Sequence, residues 1–588
     1  MKKLILCLAL VVAIGAVVGV SVSKEIALEA ATAKLSRLSN RAFEAQYEKT
    51  IAYEDVPVAF FYSLKPRGFM LCSADDELPP LIAYSLESAI SSIDQERSKW
   101  QEFIGYDLIQ RLRHQSNSIA SQNRRMWDKA TGTNRDFEQF PPAGYSPTGG
   151  WLMSNWTQNS PYNMYCPIDP VANVRSVAGC PSVAMGMIVN YYETFNGTQF
   201  TDADDYYHSY AGRNFYIDDD YEARGFASFP QLNGYLAECL QRYKDGLPIT
   251  NSDKGAIVWA CGVACRQVYS SSGSGTFSVN QAMQAYQRFA FEGMELLTDA
   301  NPDLYQRIAA NMMAAMPVHL AIVTPAWDAG HNVVVDGYNT DEYYHLNFGW
   351  GGSYNGWYLL PSEIPYNLTV IEGAIVDISP KSYLFTMPDV VEVLTFQVAL
   401  NPIIVEAINI SGEDLQIEAL DFPPYWGGAM WDINIQGLPE LPYNLPAGQS
   451  MFIQINVALP IRGEREIMRN DLRIIHSDGV YKLPIVFDSD LVSAVDDFSQ
   501  IPNPSQISTY PNPFVDKLKI RIETEQKQGT SLNIYNLRGQ QVKTFDISGK
   551  SEILWDGKSL SGETLPAGIY LLKVKGSTFS AVKRILKL

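Results

Sequence analysis

The spacing of hydrophobic positions divides the chain into regions with different predicted structure. Helical spacing in EIALEAATAKLSRLSNRAF and SLESAISSIDQERSKWQEFIGYDLIQRLRHQ flanks a strand-like block, VPVAFFYSLKPRGFMLCSADD. In that block Pro66, Arg67 and Gly68 separate two apolar runs, which predicts a β-hairpin. From His114 to about Gly150 the pattern is polar and weak, which predicts an exposed linker.

The middle of the chain has the pattern of an aromatic-rich α+β region, from Trp151 to about Pro380. An apolar helical pattern begins at Cys180 in AGCPSVAMGMIVNYY, and strands are predicted in GHNVVVDGY and YYHLNFGW. Beyond Ser382, alternating runs such as SMFIQINVAL are separated by LPAGQ and SDG turns, which predicts an antiparallel β-sandwich. A linker at 489–509 precedes a last compact β unit.

The first residues, MKKLILCLALVVAIGAVVGVSVSKE, combine two lysines, an apolar run and small residues. This order predicts a secretory signal peptide that is cleaved near Ser21 to Ser23. An uncleaved membrane anchor is the alternative, because the run approaches a membrane-spanning length. No later segment is apolar enough over a sufficient length to span a bilayer, so we expect an exported protein.

Composition and charge narrow the function class. The chain has 588 residues, 46% hydrophobic and 19% charged, which predicts several globular units. A net charge of −19 argues against nucleic-acid binding, since phosphate contacts need clustered Lys and Arg. The segment from Tyr510 onward contains 13 Lys and Arg but only 7 Asp and Glu, and this positive charge distinguishes the tail as a separate module.

Cysteines and histidines set the limits on metal and disulfide chemistry. Export would allow Cys166, Cys239, Cys261 and Cys265 to form two bridges and leave Cys180 unpaired, although the spacing fixes no connectivity. Neither HxxxH nor CxxC spacing occurs in the sequence. The sequence therefore predicts no metal and no cofactor.

Cys180 permits two interpretations. Free cysteine is among the most buried residue types, so a structural thiol is the ordinary one. A nucleophile is the other, because the unpaired N–H groups and the dipole at a helix N-terminus favour a thiolate.

Among the six histidines, His331 is the best candidate for a base, because it follows Asp-Ala-Gly where a loop enters a strand. His208, His319 and His345 have patterns typical of structural residues, and His114 and His476 lie outside the α+β region.

A thiol nucleophile needs a base, a group that orients the base, and donors for an oxyanion. A hairpin from GHNVVVDGY to YYHLNFGW would bring Asn347 beside His331 as the orienting group. Gln158 in WTQNSPYN could supply an amide donor, and the Cys180 backbone N–H a second. Without further context, a loop glutamine with no role would be the preferred interpretation of Gln158.

The motifs WTQNSPYNMYCP, AGCPSVAMGMI, GHNVVVDGY and YYHLNFGWGGSYNGWY occur in one order over residues 150 to 365. Together they resemble the streptopain family of papain-like cysteine peptidases. The resemblance implies Cys180 as nucleophile, His331 as general base and acid, Gln158 in the oxyanion hole and Asn347 as orienter.

The chain departs from the family pattern at Phe348, where the family usually has tryptophan. Phe348 can shield the His–Asn contact from water but cannot donate an indole hydrogen bond, so we expect weaker activity if that bond contributes. Gly179, Gly330 and Trp350 are the other residues predicted to lie near the site. Pro181 suits the first helical position, which needs no N–H.

Two further segments carry resemblances. GFMLCSADDELPPLIAYS resembles the inhibitory propeptide of the streptopain family. The tail, with YPNPF, IYNLRGQQV, LPAGIYLLKV and VKRILKL, resembles the type IX secretion sorting domain of Gram-negative bacteria. The segment from Ser382 to Asp488 resembles immunoglobulin-like sandwiches only weakly.

The sequence thus predicts an α+β papain-like peptidase, preceded by an α+β propeptide and followed by an Ig-like β-sandwich and a small all-β domain. The expected boundaries are 1–23 signal peptide, 24–150 propeptide and activation linker, 151–380 peptidase, 381–488 sandwich, 489–509 linker and 510–588 sorting domain.

The predicted function is a secreted cysteine endopeptidase made as a zymogen. Its expected partners are protein or peptide substrates, its own propeptide as inhibitor and the type IX secretion machinery, with no nucleic acid. We expect it outside a Gram-negative cell or on its surface, reached through the periplasm. An amidase or transglutaminase-like enzyme on the same fold and a catalytically silent surface-binding protein are the alternatives.

Overall fold

A computed structural model describes most of the chain outside the first nineteen residues. The described residues are 20–39, 41–88, 94–128, 137–323, 330–360, 371–388, 390–393, 403–422, 432–458, 467–488, 506–510, 514, 516–523, 531–536, 541–547, 552–560, 562–566, 568–575 and 580–587. The apolar run of the predicted signal peptide and most of the linker at 489–509 lie outside them. Among the described residues, no helix combines the length and apolar character that crossing a bilayer requires.

Residues 24–150, called the leader below, fold into helices and an antiparallel sheet. The helices are α1 (Lys24–Leu38), α2 (Asp94–His114) and α3 (Asn117–Asp128), and the strands are β1 (Glu44–Tyr53), β2 (Val56–Lys65), β3 (Phe69–Ser73), β4 (Leu81–Ser85) and β5 (Gln139–Phe140). Ser23 caps α1 by accepting a hydrogen bond from the Ile26 N–H. Strands β2 and β3 form the predicted hairpin around residues 66–68.

The first part of the predicted exposed linker forms a helix, residues 117–128, in which several side chains are exposed and Asn123 is buried. Helix α3 is polar, and contacts with the β3–β4 turn hold it in place. Asn123 Nδ2 donates to the Glu77 carbonyl at 2.7 Å, and Trp127 Nε1 donates to the Leu78 carbonyl at 2.8 Å. Arg124 pairs with Glu77, so its side chain is engaged within the leader.

The predicted peptidase region, residues 151–380, packs helices against a sheet. Its elements are β6 (Ile168–Asp169), β7 (Val174–Arg175), α4 (Cys180–Tyr192), a short 3₁₀ turn (Asp202–Asp204), β8 (Tyr206–Tyr210), β9 (Arg213–Ile217), α5 (Tyr221–Arg224), α6 (Phe229–Lys244), α7 (Asn251–Ala264), α8 (Val279–Arg288), β10 (Glu295–Leu297), α9 (Leu304–Met313), β11 (Val318–Val323), β12 (Gly330–Asn339), β13 (Tyr343–Asn347), β14 (Gly356–Leu359) and β15 (Ile371–Val376).

The leader and the peptidase region share one sheet. The strand order is β1-β2-β3-β4-β14-β13-β12-β11-β15-β10, and β5 pairs with β12. The junction is antiparallel, with Trp357 opposite Tyr84 and Tyr358 opposite Ala83. One hydrophobic core contains residues of both regions, among them Trp100 of the leader and Tyr354 of the peptidase region. The leader is therefore built into the fold of residues 151–380.

Residues 381–488 form two sheets around a common core. Their strands are β16 (Leu384–Met387), β17 (Val391–Val393), β18 (Ile403–Asn409), β19 (Leu415–Asp421), β20 (Asp432–Gln436), β21 (Tyr443–Leu445), β22 (Ser450–Ala458), β23 (Ile467–His476) and β24 (Gly479–Asp488). This unit meets the end of α6, where Arg473 donates to the Tyr243 and Lys244 carbonyls, both at 2.6 Å. Lys244 Nζ lies 3.2 Å from the Glu418 carboxylate.

In the tail, residues 510–588, the described elements are all β-strands, and the first of them begins just before residue 510. The strands are β25 (Gln506–Tyr510), β26 (Leu518–Glu523), β27 (Ser531–Asn536), β28 (Gln541–Asp546), β29 (Glu552–Trp555), β30 (Gly568–Lys575) and β31 (Ser580–Lys587). They form sheets β25-β26-β29 and β28-β27-β30-β31 over one core. Trp555 is fully buried at its centre.

Candidate active site

Cys180 is the first residue of α4, as the sequence predicts. Gly179 precedes it with φ +89°, a conformation that disfavours any side chain, and a Cβ there would lie 2.8 Å from Gln267 Oε1. Pro181 occupies the first turn, where no intrahelical N–H bond is lost. The thiol is half-buried, and the other described cysteines, Cys72, Cys166, Cys239, Cys261 and Cys265, are buried free thiols. The two disulfides that the cysteine count allowed are not formed.

His331 is the second residue of β12 and is 2% exposed. Its Nε2 donates to the Phe348 carbonyl at 2.8 Å. Its ring stacks on Trp350 with centroids 4.6 Å apart and 26° between the planes. Burial lowers the pKa of His331 to about 3, although the bond to Phe348 opposes this shift, so the ring is neutral at physiological pH. In this arrangement the imidazole is held by a hydrogen bond and a ring stack to residues 348–350.

Asn332 contacts the thiol in the described arrangement. Its Nδ2 donates to Cys180 Sγ at 3.8 Å, a long contact that suits sulfur. Because successive side chains of a strand point to opposite faces, the neighbouring His331 is directed away from the face that carries Asn332. No hydrogen bond joins His331 to Cys180 among the described contacts.

Hydrogen bonds fix the positions of Gln158 and Asn347. The Gln158 carbonyl accepts from the Ala178 N–H at 2.9 Å, which fixes that loop beside the start of α4. Asn347 ends β13 and pairs in register with Val334. Its Oδ1 accepts from the Gly349 N–H at 3.1 Å, and its Nδ2 reaches Asn155 Oδ1 at 3.4 Å. The described contacts of Asn347 therefore hold the turn after β13 and do not reach His331.

Phe348 and Trp350 lie against the imidazole. Phe348 stacks on Trp350 at 5.2 Å, and its ring is 6.3 Å from that of His331. Asn355 Oδ1 accepts from the Phe348 N–H at 2.9 Å and fixes the carbonyl that His331 contacts. Gly330 is exposed at the start of β12.

Helix α2 of the leader contributes a positive charge that acts on the site. Burial raises the pKa of the Cys180 thiol, whereas hydrogen bonds from Asn332 and the positive charge of Lys99 lower it. The same lysine also lowers the pKa of His331. Lys99 is thus an electrostatic neighbour of both candidate catalytic groups, and both are uncharged in the leader-bound form.

Two residues at this site were missed by sequence analysis. Asn332 follows His331 in a run, HNVVVDGY, that is apolar on both faces, so alternation gives no sign of which polar residue faces α4. Lys99 lies in an ordinary charged helix pattern and has no local signal. His319 and His345 are buried and partnered, by Asn332 and Asp336 respectively, which agrees with their structural interpretation. Within the described ranges, no group of three or more potential ligands could hold a metal ion.

Comparison with known families identifies this region. Residues 156–358 match the model of the Peptidase C10 family, and they contain Cys180, His331 and Asn347. The chain carries a cysteine peptidase domain of the C10 family. Residues 18–106 match the Spi protease inhibitor model, and residues 508–587 match the secretion system C-terminal sorting domain. These matches confirm the resemblance to the streptopain family, its inhibitory propeptide and a secretion tail.

The individual proteins that this chain resembles are distant in sequence. Streptopain of Streptococcus pyogenes serotype M28 is 21% identical over 338 residues, which span 54% of this chain and 77% of that protein. Prointerpain A of Prevotella intermedia is 20% identical with a TM-score of 0.40, over 58% of this chain and all of that fragment. Active interpain A is 22% identical with a TM-score of 0.31, over 40% of this chain and 94% of its own.

Proposed function

We propose that this C10 zymogen is an exported endopeptidase whose nucleophile is Cys180 and whose general base and acid is His331. The observation that carries the proposal is the position of the thiol. It is half-buried at the N-terminus of α4, where helix N–H groups favour a thiolate, and lies within the C10 match. His331 is adjacent in sequence to the side chain that contacts the sulfur.

In the proposed reaction the Cys180 thiolate attacks a peptide carbonyl carbon, and the imidazolium form of His331 protonates the departing amine. Water then attacks the acyl-enzyme, with His331 as base, and releases the thiol. The Cys180 N–H and the Gln158 side-chain amide are the proposed donors to the oxyanion. Asn347 supports this site by holding the 348–350 segment that packs on the imidazole.

We interpret the described arrangement as the latent form. A neutral imidazole bound to the Phe348 carbonyl and a neutral thiol beside Asn332 cannot act as a pair. Activation therefore requires the start of β12 to rearrange, so that His331 reaches the face of the strand that carries the thiol. The residues immediately before it, 324–329, are outside the described part of the chain.

Contacts between leader and peptidase region support the inhibitory role of the leader. Trp100 Nε1 donates to the Tyr358 hydroxyl at 3.0 Å, and Lys34 Nζ lies 2.6 Å from Asp341. These add to the strand pairing between β4 and β14. Cutting the 115–150 segment would leave all of these contacts in place. We therefore propose that release needs dissociation or further degradation of the leader.

Export completes the proposal. The C-terminal sorting domain implies delivery to the cell surface or the medium. We propose that the N-terminal signal first directs the chain to the periplasm and that the type IX machinery then recognises the tail.

The test is a processing time course. Purified Cys180→Ala should remain a proform that carries the GFMLCSADD block. Wild type should be cut between about residues 115 and 150 and should then lose the block as the leader dissociates or is degraded. Cys239→Ala is the matched control, because it removes a buried thiol of α6 and should still mature. Added active enzyme should process Cys180→Ala in trans.

Two results would contradict the proposal. Hydrolysis by Cys180→Ala within about tenfold of wild type would exclude Cys180 as nucleophile, since loss of a covalent nucleophile costs several powers of ten. Full activity of chains that retain residues 24–115 would exclude the leader as inhibitor. Mass spectrometry of a peptide substrate separates backbone hydrolysis from deamidation or cross-linking, which an amidase or transglutaminase-like enzyme would produce.

A further inference from the structure

A chain of hydrogen-bonded side chains runs from helix α8 to the thiol. Tyr286 OH lies 3.1 Å from His319 Nδ1, and His319 Nε2 lies 2.7 Å from Asn332 Oδ1. Asn332 Nδ2 then donates to Cys180 Sγ at 3.8 Å. Tyr286 and His319 are fully buried, so water does not compete for the contact between them.

The pairing of β11 with β12 explains why these hydrogen-bonded side chains lie next to one another. Asn332 is opposite Ala321 and His319 is opposite Val334, so His319 and Asn332 are diagonal neighbours on one face. That face packs against α4, because Ala321 and Val334 belong to the same core as the α4 side chains. His331 is opposite Ile322, one position out of step with this face.

The direction of each hydrogen bond follows from the protonation of His319. Burial lowers the pKa of His319 to about 4, so the ring is neutral and carries one N–H at physiological pH. Burial also keeps Tyr286 protonated by raising its pKa, and its O–H can donate to Nδ1. The remaining N–H is then at Nε2 and donates to Asn332 Oδ1. The Asn332 amide is thereby oriented with its NH₂ group toward the sulfur.

We propose that Asn332 is a further active-site residue whose amide holds and hydrogen-bonds the Cys180 sulfur, and that Tyr286 and His319 are positioning residues for that amide. The inference rests on the proposed role of Cys180 as nucleophile. A donor to sulfur favours the thiolate over the thiol, which opposes the effect of burial. While His331 is directed away, the Asn332 amide holds the sulfur in place and limits the rise that burial causes in the pKa of the thiol.

Other groups also affect the pKa of the thiol, and their contributions do not change when these hydrogen-bonded side chains are substituted. Lys99 of α2 acts on it electrostatically, and Cys265 at the end of α7 is a buried neutral neighbour. The Asn332 backbone also contributes, and it survives substitution of the side chain. Variants at Asn332 and Tyr286 therefore measure the effect of the Tyr286–His319–Asn332 hydrogen bonds on the thiol, while these other contributions remain.

The experiment uses the full chain with His331→Ala, which should prevent self-processing and keep the leader in place. Alkylation of Cys180 by iodoacetamide is followed as a function of pH, by mass spectrometry of the peptide that contains it. Asn332→Ala should raise the midpoint pH of the alkylation rate by about half to one unit, as expected for the loss of one long hydrogen bond to a thiolate. At pH values below that midpoint, alkylation should be about three- to tenfold slower. Asn339→Ala removes another buried asparagine of β12 and should leave the midpoint unchanged.

Tyr286→Phe provides the decisive comparison, because it removes one oxygen atom that does not touch the thiol. Without that donor His319 can adopt either tautomer, so the midpoint should rise by less than in Asn332→Ala. In the double variant, Tyr286→Phe should add no shift, since its effect passes through Asn332.

An unchanged midpoint in folded Asn332→Ala would overturn the proposal, as would an undiminished Tyr286→Phe shift in the double variant. The alkylation readout needs no turnover, so it stays informative even if Cys180→Ala retains hydrolytic activity and the proposed function fails.

Discussion

Replacing Trp100 with alanine should loosen the hold of the leader on the peptidase region. The Trp100 side chain is 1% exposed and stacks on Tyr354 with centroids 4.6 Å apart and 14° between the planes. Its Nε1 donates to the Tyr358 hydroxyl at 3.0 Å. The same ring also contacts Phe61 and Phe69 within the leader, at 5.3 and 6.1 Å. The substitution therefore removes contacts of two kinds.

Only the contacts across the boundary affect how readily the leader separates. Truncating a buried tryptophan to alanine costs about 3–5 kcal/mol in total. The stack on Tyr354 contributes roughly 1 kcal/mol of this, and the hydrogen bond to Tyr358 about another 1 kcal/mol. A loss of about 2 kcal/mol increases the population with a displaced leader roughly thirtyfold.

The assay measures how fast iodoacetamide labels Cys180 at neutral pH in the uncleaved His331→Ala proform. Trp100→Ala should label roughly thirtyfold faster if reagent reaches the thiol through leader displacement. Tyr106→Ala is the control, because it lies on the same helix and its described ring partner, Tyr53, belongs to the leader. A wild-type labelling rate in folded Trp100→Ala, or equal acceleration in Tyr106→Ala, would refute the reasoning.

Further predictions concern the site and its pH dependence. Asn347→Ala should lower kcat/KM by less than Cys180→Ala and lower the Tm, because it frees the Gly349 N–H of a buried turn; a loss of activity equal to that of Cys180→Ala would contradict this role. Gly179→Ala should destabilise the proform by about 1 kcal/mol or more, measured by urea unfolding, since φ is +89° and the new Cβ would meet Gln267. His319 is neutral in the fold with a pKa near 4 against 6.5 when unfolded, so its contribution is present above about pH 6.5 and is lost toward pH 4. By pH 5 the loss of stability from His319 is roughly 2 kcal/mol. His319→Gln should therefore reduce the fall in the unfolding free energy between pH 7 and 5.

Local patterns were sufficient for the elements that carry the site. Helix α4 begins at Cys180 because Gly179 and Pro181 are start signals that act within one turn. The hairpin of β12 and β13 follows from two apolar runs around a polar turn. These features depend on neighbours in sequence, which a single chain reveals.

The parts that the sequence did not predict depend on distant contacts. Helix α3 is polar, and its position is set by the Glu77 and Leu78 carbonyls some forty to fifty residues away. The choice between His331 and Asn332 at the thiol depends on which face of β12 packs on α4, and the valines that follow them are buried on both faces. No local pattern could distinguish these two orientations.

The pairing of β4 with β14 has a consequence for the protein after the leader is gone. While the leader is present, β14 lies between two strands and its backbone groups are paired on both sides. Once β4 leaves, β14 becomes the edge of the sheet, and an edge strand offers unpaired N–H and C=O groups to any extended chain. Trp357 and Tyr358 lie along that edge. Loss of the leader thus exposes an unpaired sheet edge that can bind other strands. The free enzyme should therefore be less soluble and more prone to self-association than its precursor.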